Sequence, residues 1–205
     1  MPGKTVRFAT PSPSYSTSSL PETDGSLSPP PIASAMLPAV ECQLCPALQH
    51  NRAATSSAIY WDMSYPVETA RLYPGLAQTF WTAPATNPVV TSLIVIFGAW
   101  RMFITPNPSS RVAYVTVTDV LHGIYRHLRG TSSERDFSSL SPDKQRRVTD
   151  AYIQRWQRCR VPAEREMERL KGVKHIDFLA DSKVFWGLTP TKELGVFQLQ
   201  VTRSS

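Results

Sequence analysis

Cys42-Gln43-Leu44-Cys45 places two thiols with a two-residue gap, the spacing found in zinc sites. A structural zinc takes four ligands, commonly two such pairs or a Cys pair with a His pair. His50 supplies a third donor nearby and no fourth follows, so the expected role of this segment is apolar anchoring rather than metal binding. Acid–base chemistry would draw on His122, His127 and His175 with Asp119, Asp177 and Asp181. His122 and His127 fall on one helical stretch but five apart, so they do not share a face. His175 and Asp177 alternate, and in a strand they would lie on one side as a polar pair. No Ser or Cys stands in a nucleophile motif, and no Gly-rich phosphate loop is present.

A third set is basic. Lys144, Arg146, Arg147, Arg155 and Arg158, followed by Arg160, give the stretch 143–160 a cationic exterior of the kind that meets phosphates. Glu164, Glu166 and Glu168 follow at once, which favours a solvated face of mixed charge over a nucleic-acid site. The net charge of +6 permits acidic partners without requiring them.

The elements that would position these groups begin near Ala58. Ahead of them, residues 1–45 are rich in Ser, Thr and Pro, and half of the 18 prolines precede residue 50. Such a stretch buries too little to offset the entropy of ordering, so it is expected as a disordered tail, with 46–57 as an extended arm and 58–202 as the folded unit. In that unit AIYWDM reads as a short strand and PVVTSLIVIF as a strand buried on both faces. Gly98-Ala99 turns into a second strand, WRMFI, and RVAYVTV alternates as another. Thr118 is expected to cap a helix whose face carries Val120, Leu121, Ile124, Tyr125 and Leu128, with Gly130 as its stop. Ser141-Pro142 opens a second helix, with Val148, Tyr152 and Trp156 stacked at four-residue spacing and expected to pack beside Leu121 and Tyr125. AEREMERLK makes a short third helix, and VKHIDFL, KVFWGL and LGVFQLQV read as closing strands. Strands, then helices, then strands imply an α+β fold, a small mixed or antiparallel sheet packed against two to three helices.

Three cysteines make no disulfide framework and fit a reducing compartment. The longest apolar stretch, residues 89–100, is too short to span a bilayer, and the N-terminus lacks the apolar core of a secretory signal. A cytoplasmic or nuclear protein without membrane attachment is expected, and no cofactor is called for.

The ordered segments YWDMS, YVTVTDVLHGIYRHL, KQRRVTDAYIQRW, GVKHIDFL and FWGLTP resemble a domain-of-unknown-function family, the 6699 domain, abundant in mushroom-forming fungi. The resemblance covers roughly residues 58–201 and implies a fungal, intracellular setting. Members often carry a basic-Val-Arg-Phe opening, a PSPSYSTSSLP-like stretch and a run of prolines. It implies no activity and transfers no catalytic residue.

The tail has its own patterns. In Lys4-Thr5-Val6-Arg7-Phe8, the side chains of Val6 and Phe8 point to one side of an extended chain, behind a basic Lys4. This resembles the short docking motif by which regulators bind protein phosphatase-1, with Val6 and Phe8 filling paired pockets. Thr10-Pro11, Ser12-Pro13 and Ser28-Pro29 are candidate sites for proline-directed kinases at Thr10, Ser12 and Ser28. The expected function is that of a non-enzymatic interaction or adaptor protein whose tail recruits the phosphatase. The alternatives are a nucleic-acid-binding module using the basic helix and an enzyme of unstated reaction.

Overall fold

The computed structural model describes residues 42–51, 57–110 and 112–203. The tail motifs at Lys4, Val6, Phe8, Thr10, Ser12 and Ser28 lie outside the described residues. The central sheet has four strands: β5 (Leu93–Phe97), β6 (Trp100–Ile104), β7 (Val184–Pro190) and β8 (Val196–Thr202). Their order is β6-β5-β8-β7, with β5 and β8 parallel and the two outer pairs antiparallel hairpins. Two two-stranded ladders flank it. One pairs β1 (Gln43–Leu44) with β4 (Thr86–Asn87), and the other pairs β2 (Ile59–Tyr60) with β3 (Arg71–Leu72). The α-helices are α1 (Val117–Leu128), α2 (Glu134–Ser138), α3 (Pro142–Gln157) and α4 (Pro162–Leu170). This is the expected α+β class, with the short α2 as an addition.

The β5–β6 hairpin forms as its sequence implies, closed by a two-residue loop in which Gly98 takes φ 58°, a conformation other residues adopt at a cost. β5 is not buried on both faces. Leu93 and Val95 point into the core, whereas Ile94 and Ile96 are only partly covered. α1 lies across this sheet with Val117, Val120, Leu121, Ile124 and Leu128 inward. Gly123 permits the close approach, since a Cβ there would sit 2.8 Å from Ile104 Cγ1.

Four further expectations change. The cap of α1 is Thr116, not Thr118. Thr116 and Asp119 form a reciprocal capping box, while the Thr118 hydroxyl donates to the Trp81 carbonyl at 2.7 Å. The described residues of RVAYVTV, 112–117, form no strand. Val115 and Val117 bond to Val90, Ala85 and Ala83, but the facing segment contains Pro84 and Pro88, which have no N–H to continue a ladder. His175–Leu179 is a 3₁₀ helix, because the Asp177 carboxylate accepts from the Lys174 amide at 2.9 Å and bends the chain into a capped turn. Tyr152 and Trp156 do not pack beside Leu121 and Tyr125. They join Val148, Val173 and Phe178 in a second, smaller core, while Leu121 belongs to the main core, with Tyr125 packed against it and ring to ring with Trp61.

The segment expected as a tail end and arm is part of the fold. Leu44, Ala47 and Leu48 are buried in the main core, and Leu48 and His50 exchange backbone hydrogen bonds with Leu188. The segment 42–50 is therefore held to the sheet by backbone bonds and by its apolar side chains.

Candidate ligand-binding site

Between the two cores lies a recess of about 420 Å³. The facing ends of β5 and β6 supply Phe97 and Trp100, the α2–α3 connection Leu140, the 3₁₀ helix Phe178, the turn after it Ala180, and β8 Val201. Lys144 and Arg147, three apart on α3 and so on one face, bring two cations to this apolar floor. Ala180 adopts φ 48°, ψ −111° on the wall. For a residue with a Cβ this costs about 1–3 kcal/mol, and such strain concentrates at ligand clamps and functional sites.

Behind the floor is a stack of rings. Trp100 lies 4.5 Å from His175, His175 lies 4.6 Å from His127, and the edge of Phe178 meets Trp100 at 4.9 Å. His175 Nδ1 sits 3.0 Å from the His127 carbonyl, so that nitrogen carries the proton and donates it. His127 Nε2 is buried with no hydrogen-bond partner among the described residues. Burial, and then the proximity of His175, push the His127 pKa down. On the recess wall the Asp136 carboxyl is held below the usual range, first by the Ser133 hydroxyl against the opposing effect of burial, then by the Ser133 amide, His175 and Ser132.

The anticipated His175–Asp177 pair does not exist. Once the segment turns as a 3₁₀ helix, His175 joins the ring stack, and Asp177, 1% exposed, accepts two bonds from Arg155 at 2.9 and 3.0 Å. Arg155 also donates to Glu168 and to the Gly172 carbonyl, both at 2.7 Å, and Lys174 and Lys171 complete the Glu168 side. Arg155 thus leaves the basic surface, on which Lys144, Arg146, Arg147 and Arg158 stay exposed. A signal for this was present. Arg155 is seven residues after Val148 and three after Tyr152, on the helix's buried stripe. Asp119 is committed to the capping box and the Asn107 amide. Asp181 meets Arg147 in an exposed pair at 3.5 Å. Cys45 is buried in the main core, Cys42 faces the Pro88 carbonyl, and His50 Nδ1 the Trp186 carbonyl. Among the described residues no three metal-ligating side chains converge. Nor is any helix among them long and apolar enough to cross a membrane.

Two of these groups predict an acid response. Burial raises the Glu168 pKa, but hydrogen bonds and charge from Lys171 and Lys174 outweigh it and hold the group at about 2. An unfolded Glu titrates near ~4.3, so this stabilisation is full above about pH 5 and is lost as pH falls toward about 2. His127 is lowered too, so the unfolded chain takes up its proton first and stability begins to decline below about pH 6.5. Urea midpoints measured from pH 8 to pH 3 are expected to fall in two stages, and His127→Phe should flatten the first. A flat profile across pH 5–7 in both proteins would remove the buried histidine from this account.

The fold and recess define a small α+β module with an aromatic, cation-edged cleft. Residues 59–194 match the family of unknown function DUF6699, and the chain belongs to that family. No curated protein and no solved structure matches it.

Proposed function

We propose that this protein is a non-enzymatic interaction protein, a folded binding module whose tail docks protein phosphatase-1 through Lys4, Val6 and Phe8. The observation that carries the module reading is the recess, in which Trp100, Phe97 and Phe178 make an apolar floor beside Lys144 and Arg147. Aromatic floors with a few placed charges suit peptide segments with an acidic group. The interior ions Arg155, Asp177, Glu168 and Lys174 are spent on one another, which suits a scaffold. The tail reading is supported by the spacing of KTVRF alone.

The test is binding of the full chain to purified protein phosphatase-1, beside a Val6→Ala, Phe8→Ala double variant. Each buried apolar side chain contributes about 1.5–3 kcal/mol, so losing both should weaken binding a hundredfold or more. The urea midpoint should not move. Equal binding by both proteins would make KTVRF a chance match.

A second reading uses the exposed Lys144, Arg146, Arg147 and Arg158 as a nucleic-acid contact. It requires affinity that survives physiological salt and discriminates between sequences, whereas a solvated basic face binds polyanions weakly and without preference.

A further inference from the structure

We infer that the recess is a phosphopeptide site and that its occupant is the chain's own tail at Ser28-Pro29-Pro30-Pro31-Ile32, when Ser28 carries phosphate. This deepens the reading of the recess as a ligand site and rests on it.

The first argument is chemical complementarity. Lys144 and Arg147 present two cations on one wall. Lys144 forms no ion pair with the described residues, and Arg147 has only the exposed 3.5 Å contact with Asp181, worth little in water. Among the described residues the one carboxylate on the lining, Asp136, is engaged by Ser132 and Ser133. A phosphoserine brings close to two negative charges and three strong acceptors, which match a pair of cations. The neighbouring floor of Phe97, Trp100 and Phe178 is the kind of surface on which extended proline segments dock. Ser28 is the candidate site followed by three prolines and an isoleucine, so phosphate and apolar stretch are adjacent in the chain as cations and rings are in the recess.

The second argument is reach. Cys42 and Phe197 line one recess, near the start of β8, and Val201, four residues further along β8, lines the proposed site. Those four residues span about 13 Å. The 14 residues from Ser28 to Cys42 extend at most about 46–50 Å, so the tail reaches its own domain with length to spare. The modification itself is conventional. A proline-directed kinase moves the γ-phosphoryl group of ATP to Ser28 Oγ, releasing ADP and the hydroxyl proton.

The experiment uses the full chain and a fluorescein-labelled peptide of residues 22–34, phosphorylated at Ser28 or unmodified, followed by polarisation. The phosphopeptide should bind the unphosphorylated chain at least tenfold more tightly than its unmodified form. Lys144→Ala with Arg147→Ala, both exposed, should lose at least tenfold while keeping the urea midpoint. The chain phosphorylated at Ser28 should bind the labelled phosphopeptide at least tenfold more weakly while remaining a monomer by light scattering. Undiminished binding by the phosphorylated chain, or its dimerisation, would overturn self-occupancy. Equal binding of unrelated phosphopeptides, lost in the double variant, would also overturn it and leave the recess a general anionic-peptide site. Failure of every peptide to bind would overturn both this inference and the reading of the recess as a ligand site.

Discussion

Replacing Arg155 with Met is expected to cost about 3–5 kcal/mol, because it leaves Asp177 as a buried charge without its main partner and takes one of three cations from Glu168. The guanidinium is 13% exposed and Asp177 1%, so water cannot take over the lost bonds without opening the second core. The same change removes the donor to the Gly172 carbonyl and frees the end of α4 from the 3₁₀ helix. At this chain length the midpoint of thermal unfolding should drop on the order of 10 °C. Arg155→Lys should recover part of the loss, since it restores a charge without the planar fork that bonds both Asp177 oxygens. Arg147→Met serves as the contrast, an exposed pair whose loss should cost less than about 1 kcal/mol. If the Arg155 and Arg147 variants melt alike, the network is not what joins α3, α4 and the 3₁₀ helix.

That network was written in the sequence only in part, and the reason is general to this fold. Periodicity on α3 identifies an apolar stripe at Val148 and Tyr152, but it says nothing of what the stripe faces. The pattern alone therefore places the aromatics against α1, whereas the 137–140 and 173–178 segments build a core of their own around them. Local signals were reliable where the deciding contact is local. Gly98 between two apolar runs, Pro142 after Ser141 and the Val161-Pro162 break all act within a few residues, and all stand where expected. Signals failed where a distant segment decides. The alternating RVAYVTV meets a proline-bearing neighbour and forms only one bridge there. VKHIDFL is patterned for a strand, yet one carboxylate at Asp177 is enough to turn it. The recess was illegible for the same reason. Its lining comes from the 97–100 loop, the α2–α3 connection, the turn at Ala180 and β8, and neither the strained φ at Ala180 nor the meeting of Trp100 with His175 follows from any one of these stretches.

Gly187→Val should be the most damaging single change on the sheet, and its effect reaches the tail. Gly187 takes φ 115° at an irregularity in the β7–β8 ladder, a conformation that costs a residue with a side chain about 1–3 kcal/mol. A Cβ there would also lie 2.7 Å from the His50 amide nitrogen and 2.8 Å from its Cα. Both are backbone atoms, so no rotamer change relieves the clash, and forcing volume into such a contact costs a further 1–3 kcal/mol or so. The segment 42–51 must therefore move off β7. It would give up the Leu188–Leu48 and His50–Leu188 hydrogen bonds, at 2.7 and 2.9 Å, and expose Leu44 and Leu48. Two measurements follow. The urea midpoint should fall by the equivalent of about 2–6 kcal/mol, and limited proteolysis should acquire new early cuts within 42–51. Gly187→Ala should behave nearly as badly, because the Cβ alone makes the contact. Under self-occupancy of the recess there is a functional consequence as well. The tether from Ser28 would no longer end at Cys42 but at Ser57, lengthening from 14 to 29 residues, and the effective concentration of the phosphorylated tail should fall about threefold. A Gly187→Ala protein with wild-type stability and no cleavage in 42–51 would show that this segment rests on the domain without being held by it.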